Sequence, residues 1–243
     1  MPRFDALAFD ADDTLWHSES NYTSTKELFV DIVRPYVDRE TALAHLERTE
    51  IGNLTTYGYG TKAFILSMIE AAVALSQGEV SAAGIQRLLD AARAMLGTDV
   101  DLLKHVRPTL NRLNGNYRMI VITKGDASEQ APKFARSGIS HYFEHLEVVG
   151  EKTAEIYAAL LRKYHVVPER FIMVGNSLRS DILPVLKLGG YGVYVPYEMT
   201  WSHEIVDEPS DMGERYYKLT HLGQLPDLLE QLGWPDGTER SQP

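Results

Sequence analysis

Five short runs of this chain are apolar almost throughout: 6–9, 119–122, 146–149, 171–174 and 191–195. A strand with one wet face alternates polar and apolar side chains, so a strand that is hydrophobic at nearly every position must be covered on both faces. Helical periodicity fills the intervals at 128–137, 153–164 and 181–188, and appears again at 225–232. This alternation predicts an α/β fold, a doubly wound parallel sheet with helices on both faces.

Between Trp16 and about Leu103 the pattern changes. No strand-type run occurs there, and 24–36, 39–47, 61–75 and 81–95 have helical periodicity instead. The expected organisation is a discontinuous α/β core, 1–16 and 104–243, carrying an inserted all-helical domain at 17–103. No internal repeat or low-complexity tract is present, and 236–243 reads as a polar, frayed tail.

Composition narrows the partners. The 243 residues are 44% hydrophobic and 24% charged, enough to bury an enzyme-sized core. A formal net charge of −10 and a pI near 5.3 oppose binding to nucleic acid or to anionic membranes. A metal ion and a few lysines can still invert the potential inside one cleft. With no cysteine, disulfides and Cys-ligated zinc are excluded. The eight histidines form no close pair at metal-ligand spacing. The first residues lack the apolar run of a signal peptide and no stretch approaches membrane-spanning length, so a soluble, cytoplasmic monomer or homodimer is expected.

In a doubly wound sheet, ligands bind beyond the carboxyl ends of the strands. After the first strand comes Asp10-Ala11-Asp12-Asp13-Thr14, where crowded carboxylates repel one another unless a cation or catalysis compensates; an acidic turn is the plain alternative. After the second comes Thr123-Lys124-Gly125-Asp126. Asp126 and Glu129 fit a capping box, and the same helix start offers a hydroxyl and free N–H groups to an anion. Lys152, opening a helix after the third strand, sits badly with the helix dipole; by itself it reads as a solvated surface lysine, and a buried anion beside it would reverse that reading. After the fourth comes Gly175-Asn176-Ser177-Leu178-Arg179-Ser180-Asp181. Ser180 or Asp181 fits a helix cap and Pro184 the first turn, while Asn176 and Asp181 are also oxygen donors of the kind Mg²⁺ prefers.

Four such signals, in this order, resemble the motifs of the haloacid dehalogenase superfamily. The resemblance covers about 3–9 and 103–196 and is strongest at Asp10-x-Asp12-x-Thr14. It implies a Rossmannoid core of that type with a type 1 helical cap, and a Mg²⁺-dependent phosphatase acting on a small phosphorylated metabolite. It further implies Asp10 as nucleophile, forming an aspartyl-phosphate, and Asp12 as general acid and base. Thr123 and Lys152 would hold the phosphoryl group, with Thr14, Lys124 and Gly125 beside it. Asp10, the Asp12 backbone carbonyl, and Asn176 or Asp181 would ligate Mg²⁺.

Elementary chemistry supports those roles. A phosphate dianion repels a carboxylate nucleophile, so a bridging cation is needed, and an ammonium with N–H donors stabilises the equatorial oxygens. A second carboxyl two residues on can protonate the leaving oxygen and then deprotonate water. Asn176 stands where the superfamily commonly has an acidic residue, which removes one negative charge from the metal site.

Asp12 argues against dehalogenation, whose enzymes typically lack it. A phosphonatase would need a lysine in the insert, Lys26 or Lys62, to form a Schiff base. A phosphomutase would share the whole core, and a catalytically weak regulatory protein is the reading from another class. No Gly-x-Gly-x-x-Gly or Walker-type loop supports a simple nucleotide-binding domain. Within the insert, 53–62 reads as a shaped loop bringing Tyr57, Tyr59 and Lys62 to the substrate, although the tyrosines also suit packing between helices. The 197–204 segment is expected to border the same cleft, and Trp16 and His17 to form the junction with the insert.

Overall fold

The computed structural model describes residues 4–199 and 201–233; the tail at 236–243 and Thr200 of the 197–204 segment lie outside them. One parallel sheet runs in the order β3-β2-β1-β4-β5-β6. Its strands are β1 (Ala6–Phe9), β2 (Met119–Lys124), β3 (His145–Val149), β4 (Phe171–Gly175), β5 (Tyr191–Tyr194) and β6 (Tyr216–Lys218). Five match the apolar runs. β6 is three residues of Tyr-Tyr-Lys at the sheet edge, too short and too exposed to leave a hydrophobic signal.

The helices are α1 (Glu19–Val33), α2 (Arg39–Tyr57), α3 (Thr61–Leu75), α4 (Ala82–Gly97), α5 (Val106–Leu113), α6 (Ala127–Arg136), α7 (Ala154–Tyr164), α8 (Leu183–Lys187) and α9 (Leu225–Leu232). β1 shows why its residues are apolar on both faces. Leu7 and Phe9 enter one core with Leu110 of α5 and Leu225 and Leu229 of α9. Ala6 and Ala8 enter another with Tyr157 and Leu161 of α7. Each large apolar side chain so buried contributes about 1.5–3 kcal/mol.

From β1 the crossovers step outward to β2 and β3, then return to β4 on its other side. The switch point therefore lies at the carboxyl end of β1. Phe9 is in register with Val121 on one side and Val174 on the other, so the residues following all three strands meet there.

The insert has its own apolar cluster, in which Phe29, Val33, Leu46, Phe64, Met68 and Leu88 interlock. The chain leaves the core at Trp16 and returns at Leu102, and these two residues form an antiparallel bridge. His17 N–H donates to the Asp101 carbonyl (2.9 Å) and Leu103 N–H to that of Leu15 (3.0 Å). No helix of the described residues is long and apolar enough to cross a membrane.

Three local expectations change. α2 does not stop at 47 but continues to Tyr57, because Asn53 Nδ2 is satisfied by α3, donating to Ser67 Oγ (3.1 Å) and Glu70 Oε2 (2.8 Å) rather than competing for the α2 backbone. The turn shrinks to Gly58–Gly60, where both glycines have positive φ. The 181–188 helix begins at 183, with Pro184 in its first turn as expected, after a wide π-type turn over Leu178–Ile182.

Candidate active site

A buried ammonium flanked by two carboxylates stands at the switch point. Lys152 Nζ lies 2.5 Å from Asp10 Oδ1 and 2.6 Å from Asp181 Oδ1. Lys152 is 4% and Asp181 1% exposed, and Asp10 is also buried. Burial alone would drive the Lys152 proton off, but the two carboxylates overcome it and hold its pKa above the usual lysine value. The buried anions that a lysine before a helix start requires are present, and Thr153 caps α7, its hydroxyl accepting from Ile156 N–H. Burial, with the Asp10 charge adding to it, raises the Asp181 carboxyl even though Lys152 opposes the shift.

Asp181 reaches this position because Gly175 has no side chain. A Cβ there would lie 2.6 Å from Asp181 Cβ and closer still to its carboxyl. The turn is tied by Ser177, whose N–H donates to Asp181 Oδ2 (3.0 Å) and whose hydroxyl accepts from Ser180 N–H (3.0 Å). Ser177, not Ser180 or Asp181, thus caps this turn, and α8 has no side-chain cap of its own. The Thr14 hydroxyl sits between Asp10 Oδ2 (3.0 Å) and Asn176 Oδ1 (3.2 Å). It has one proton and satisfies one of them at a time.

Asp12 points toward α6. Its Oδ1 accepts from Trp16 Nε1 (2.7 Å) and Lys133 Nζ (2.5 Å), and its Oδ2 from Gln130 Nε2 (2.8 Å). Burial would raise its pKa, but the Lys133 charge and the three donors outweigh it and hold the carboxyl below the usual range. Asp13 turns the other way. With φ of 59°, it accepts from Ser18 and Glu19 N–H and so closes the start of α1. Burial pushes it up to about 7 against those donors, with Asp12 adding to the rise.

At the end of β2, Thr123 is buried and Lys124 is ion-paired with Glu204 of the 197–204 segment. Glu204 also accepts from the hydroxyls of Ser177 and Ser180, each at 2.6 Å. Asp126 caps α6, accepting from Ser128 N–H (2.7 Å). Its expected capping partner does not complete the box. Glu129 reaches across to the insert, where its carboxylate accepts from Thr61 N–H (2.9 Å) and the Thr61 hydroxyl (2.5 Å) at the start of α3. A Cβ on Gly60 would lie 2.9 Å from that carboxylate.

A cavity of about 200 Å³ lies between the strand ends and the insert. Asp10, Asp12, Thr123, Lys124, Lys152, Asn176, Asp181 and Tyr59 line it. Thr14 and Gly125 do not: Thr14 is buried behind Asp10, and Gly125 packs against the Gln130 side chain. Tyr57 and Lys62 are also outside it, contrary to expectation. Tyr57, on the last turn of α2, is 44% exposed, and Lys62 is spent on Asp126 and Ser128, pinning α3 to α6. Tyr59 hydrogen-bonds Glu151.

Sequence reasoning missed Gln130, Lys133 and Glu50, and placed Glu204 at the cleft only as part of the 197–204 segment, without a role. Gln130 and Lys133 lie i, i+3 on one face of the helix after the second motif, a spacing that could have found them only once that face was known to turn toward Asp12. Glu204 ends a single 3-10 turn, Ser202–Glu204, that carries no signal of its role.

The donors suit a hard cation. Among the described residues no three His, Cys, Asp or Glu side chains converge as a metal site. What does converge is two carboxylates, Asp10 and Asp181, with the Asn176 amide, and one ammonium for the two negative charges. An all-oxygen set with residual negative charge fits Mg²⁺, which keeps several waters of its own.

The haloacid dehalogenase-like hydrolase family model matches residues 4–189. The crystal structure of a haloacid dehalogenase-like family hydrolase from Xanthomonas campestris superposes with a TM-score of 0.84 at 37% identity, covering 95% of this chain and 92% of that one. Glyceraldehyde 3-phosphate phosphatase of Methanothermobacter thermautotrophicus is 37% identical over 118 residues, 46% of this chain and 51% of that protein. The enzyme of the same name from Pyrococcus furiosus is 31% identical over 137 residues, 51% and 53% respectively. The chain thus spans about half the length of the curated relatives it matches. With sheet order, strand-end carboxylates and family match in agreement, this chain belongs to the haloacid dehalogenase-like hydrolases.

Proposed function

We propose that this protein is a Mg²⁺-dependent phosphatase of a small phosphorylated metabolite, working through an aspartyl-phosphate on Asp10. The observation that carries the reading is the Asp10–Lys152–Asp181 group, a nearly buried carboxylate and its ammonium at the switch point, open to a cavity.

Asp10, the Asp12 backbone carbonyl, Asn176 and Asp181 would hold Mg²⁺, which would supply positive charge to offset the repulsion between a carboxylate nucleophile and a phosphate. An Asp10 oxygen attacks phosphorus and the bond to the leaving oxygen breaks, with Lys152 and Thr123 stabilising the equatorial oxygens. Asp12 gives its proton to the leaving alcohol, then takes one from the water that attacks the phosphorus and frees Asp10. Its ionised resting form suits that second step; donation in the first requires the Lys133 ion pair to open. The 17–103 insert acts as a cap that excludes water, fastened to the core through Thr61–Glu129, Lys62–Asp126 and Tyr59–Glu151.

The cavity is smaller than the roughly 300–1,000 Å³ of drug-sized ligand sites, which favours a substrate of a few carbons. The name shared by the relatives makes a triose phosphate the first ester to assay. Phosphate release from p-nitrophenyl phosphate should require Mg²⁺, and Asp10→Asn should lower kcat by about 10³-fold or more. Robust turnover in EDTA sinks the metal role, and an active Asp10→Asn sinks the nucleophile. Phosphonate cleavage keeps one supporting observation: Lys26 lines the cavity while Lys62 does not. Reductive trapping of a carbonyl phosphonate on Lys26 would favour it.

A further inference from the structure

The cavity wall contributed by the insert carries a carboxyl that the proposed chemistry does not use. α2 buries a single stripe, Ala42, Leu46 and Glu50, spaced i, i+4, i+8. Leu54 continues it, and Glu50 and Leu54 both line the cavity. Ala42 and Leu46 sit in the apolar cluster of the insert, so the next position of the stripe is one where a carboxylate is costly. Glu50 is 9% exposed. Among the described residues its carboxyl has no hydrogen-bond or ion-pair partner. Lys26, whose charge acts on Glu50, has its ion pair with Glu19, at 4.0 Å. A largely buried carboxyl with no protein partner, facing a cavity, is free to hydrogen-bond whatever enters it.

The surroundings say which ligand. Glu19 and Glu50 stand against one ammonium, so this wall disfavours a second anion on the substrate. Burial pushes the Glu50 carboxyl up to about 7, with Lys26 opposing and Glu19 and Glu47 adding to the rise. Near neutral pH both of its forms are therefore populated. Either form can hydrogen-bond a hydroxyl, whereas only the ionised form can pair with an ammonium. Ser67, whose hydroxyl accepts from Asn53, adds a polar group to the same wall.

Resting on the phosphatase reading above, we propose that Glu50 is a specificity-determining residue whose carboxyl binds hydroxyl groups of the leaving alcohol. The substrate class is then a short polyol or sugar phosphate, and esters that carry a second anion are rejected.

The test compares kcat/KM for glycerol phosphate, propyl phosphate, phosphoethanolamine and 3-phosphoglycerate in the wild type, Glu50→Gln and Glu50→Ala. The wild type should prefer glycerol phosphate over propyl phosphate by about tenfold or more, the worth of a hydrogen bond to a buried carboxyl. Glu50→Ala should collapse that ratio toward one, Glu50→Gln should keep part of it, and both should improve relative turnover of 3-phosphoglycerate. A wild-type ratio near one, a ratio unchanged in Glu50→Ala, or phosphoethanolamine as the best ester would each overturn the assignment. Should every ester prove inert, the phosphatase reading fails by itself. Calorimetric binding of glycerol phosphate to the wild type but not to Glu50→Ala would then still support the subsite, and equal binding would remove it.

Discussion

The contacts of Glu204 make a stability prediction that can be worked through. This residue ties the segment after β5 to the ends of β2 and β4, through Lys124, Ser177 and Ser180. Burial alone would raise its carboxyl, but the Lys124 charge and the three donors bring it from an ordinary 4.5 down to about 2. A pKa depressed on folding stabilises the fold above the unfolded value and ceases to do so as pH falls through the folded one. The contribution is about 3 kcal/mol at pH 7 and about 1.4 kcal/mol at pH 3. Urea unfolding of the wild type and Glu204→Gln, followed by circular dichroism at both pH values, reads the difference. The amide does not titrate, so whatever it costs in packing is the same at both. The gap between the two proteins should therefore narrow by about 2 kcal/mol from pH 7 to pH 3. A gap that stays constant, or widens toward low pH, refutes the argument that Lys124 holds Glu204 ionised.

Two further outcomes follow from the site. Gly175→Ala puts a methyl group where Asp181 stands, so it should cost about 2 kcal/mol or more of stability and raise the Mg²⁺ concentration needed for half-maximal turnover; an unchanged melting temperature together with unchanged Mg²⁺ dependence would contradict it. Tyr57→Phe and Lys62→Met lie outside the cavity, and each should leave KM for p-nitrophenyl phosphate within about twofold, with stability changes within about 1 kcal/mol, as for exposed pairs. A tenfold KM change in either would return that residue to the substrate site.

Much of this was legible because parallel sheets impose a strong pattern. Strands such as Ala6–Phe9 are covered on both faces and must be apolar throughout, and their carboxyl ends converge, so Asp10, Thr123, Lys152 and Asp181 could be read as neighbours from their places after successive strands. The contacts that tune those residues run between distant parts of the chain. Lys133 and Gln130 look like ordinary polar helix positions until α6 is packed beside Asp12. Glu129 follows Asp126 at the spacing of a capping box, yet the insert offers it the unsatisfied N–H of Thr61, and that tertiary partner wins. Glu50 was hidden differently. A glutamate in Glu-Arg-Thr-Glu reads as solvated, and only the Ala42–Leu46–Glu50–Leu54 spacing marks it as inward-facing. β6 had no signal, because three residues at an edge need no apolar run.

The bridge between Trp16 and Leu102 has a consequence for how such a protein can vary. Where the chain departs and where it comes back are clamped side by side, so the sheet experiences the insert as a closed excursion whatever its contents. Doubling the length of a flexible excursion adds only about 0.6 kcal/mol of closure cost, and here the excursion contains an apolar cluster of its own. The two walls of the cavity can then change at different rates. On the functions proposed above, the sheet side would set which bond is broken, and the side carrying Glu50 would be an exchangeable cassette that sets whose bond it is.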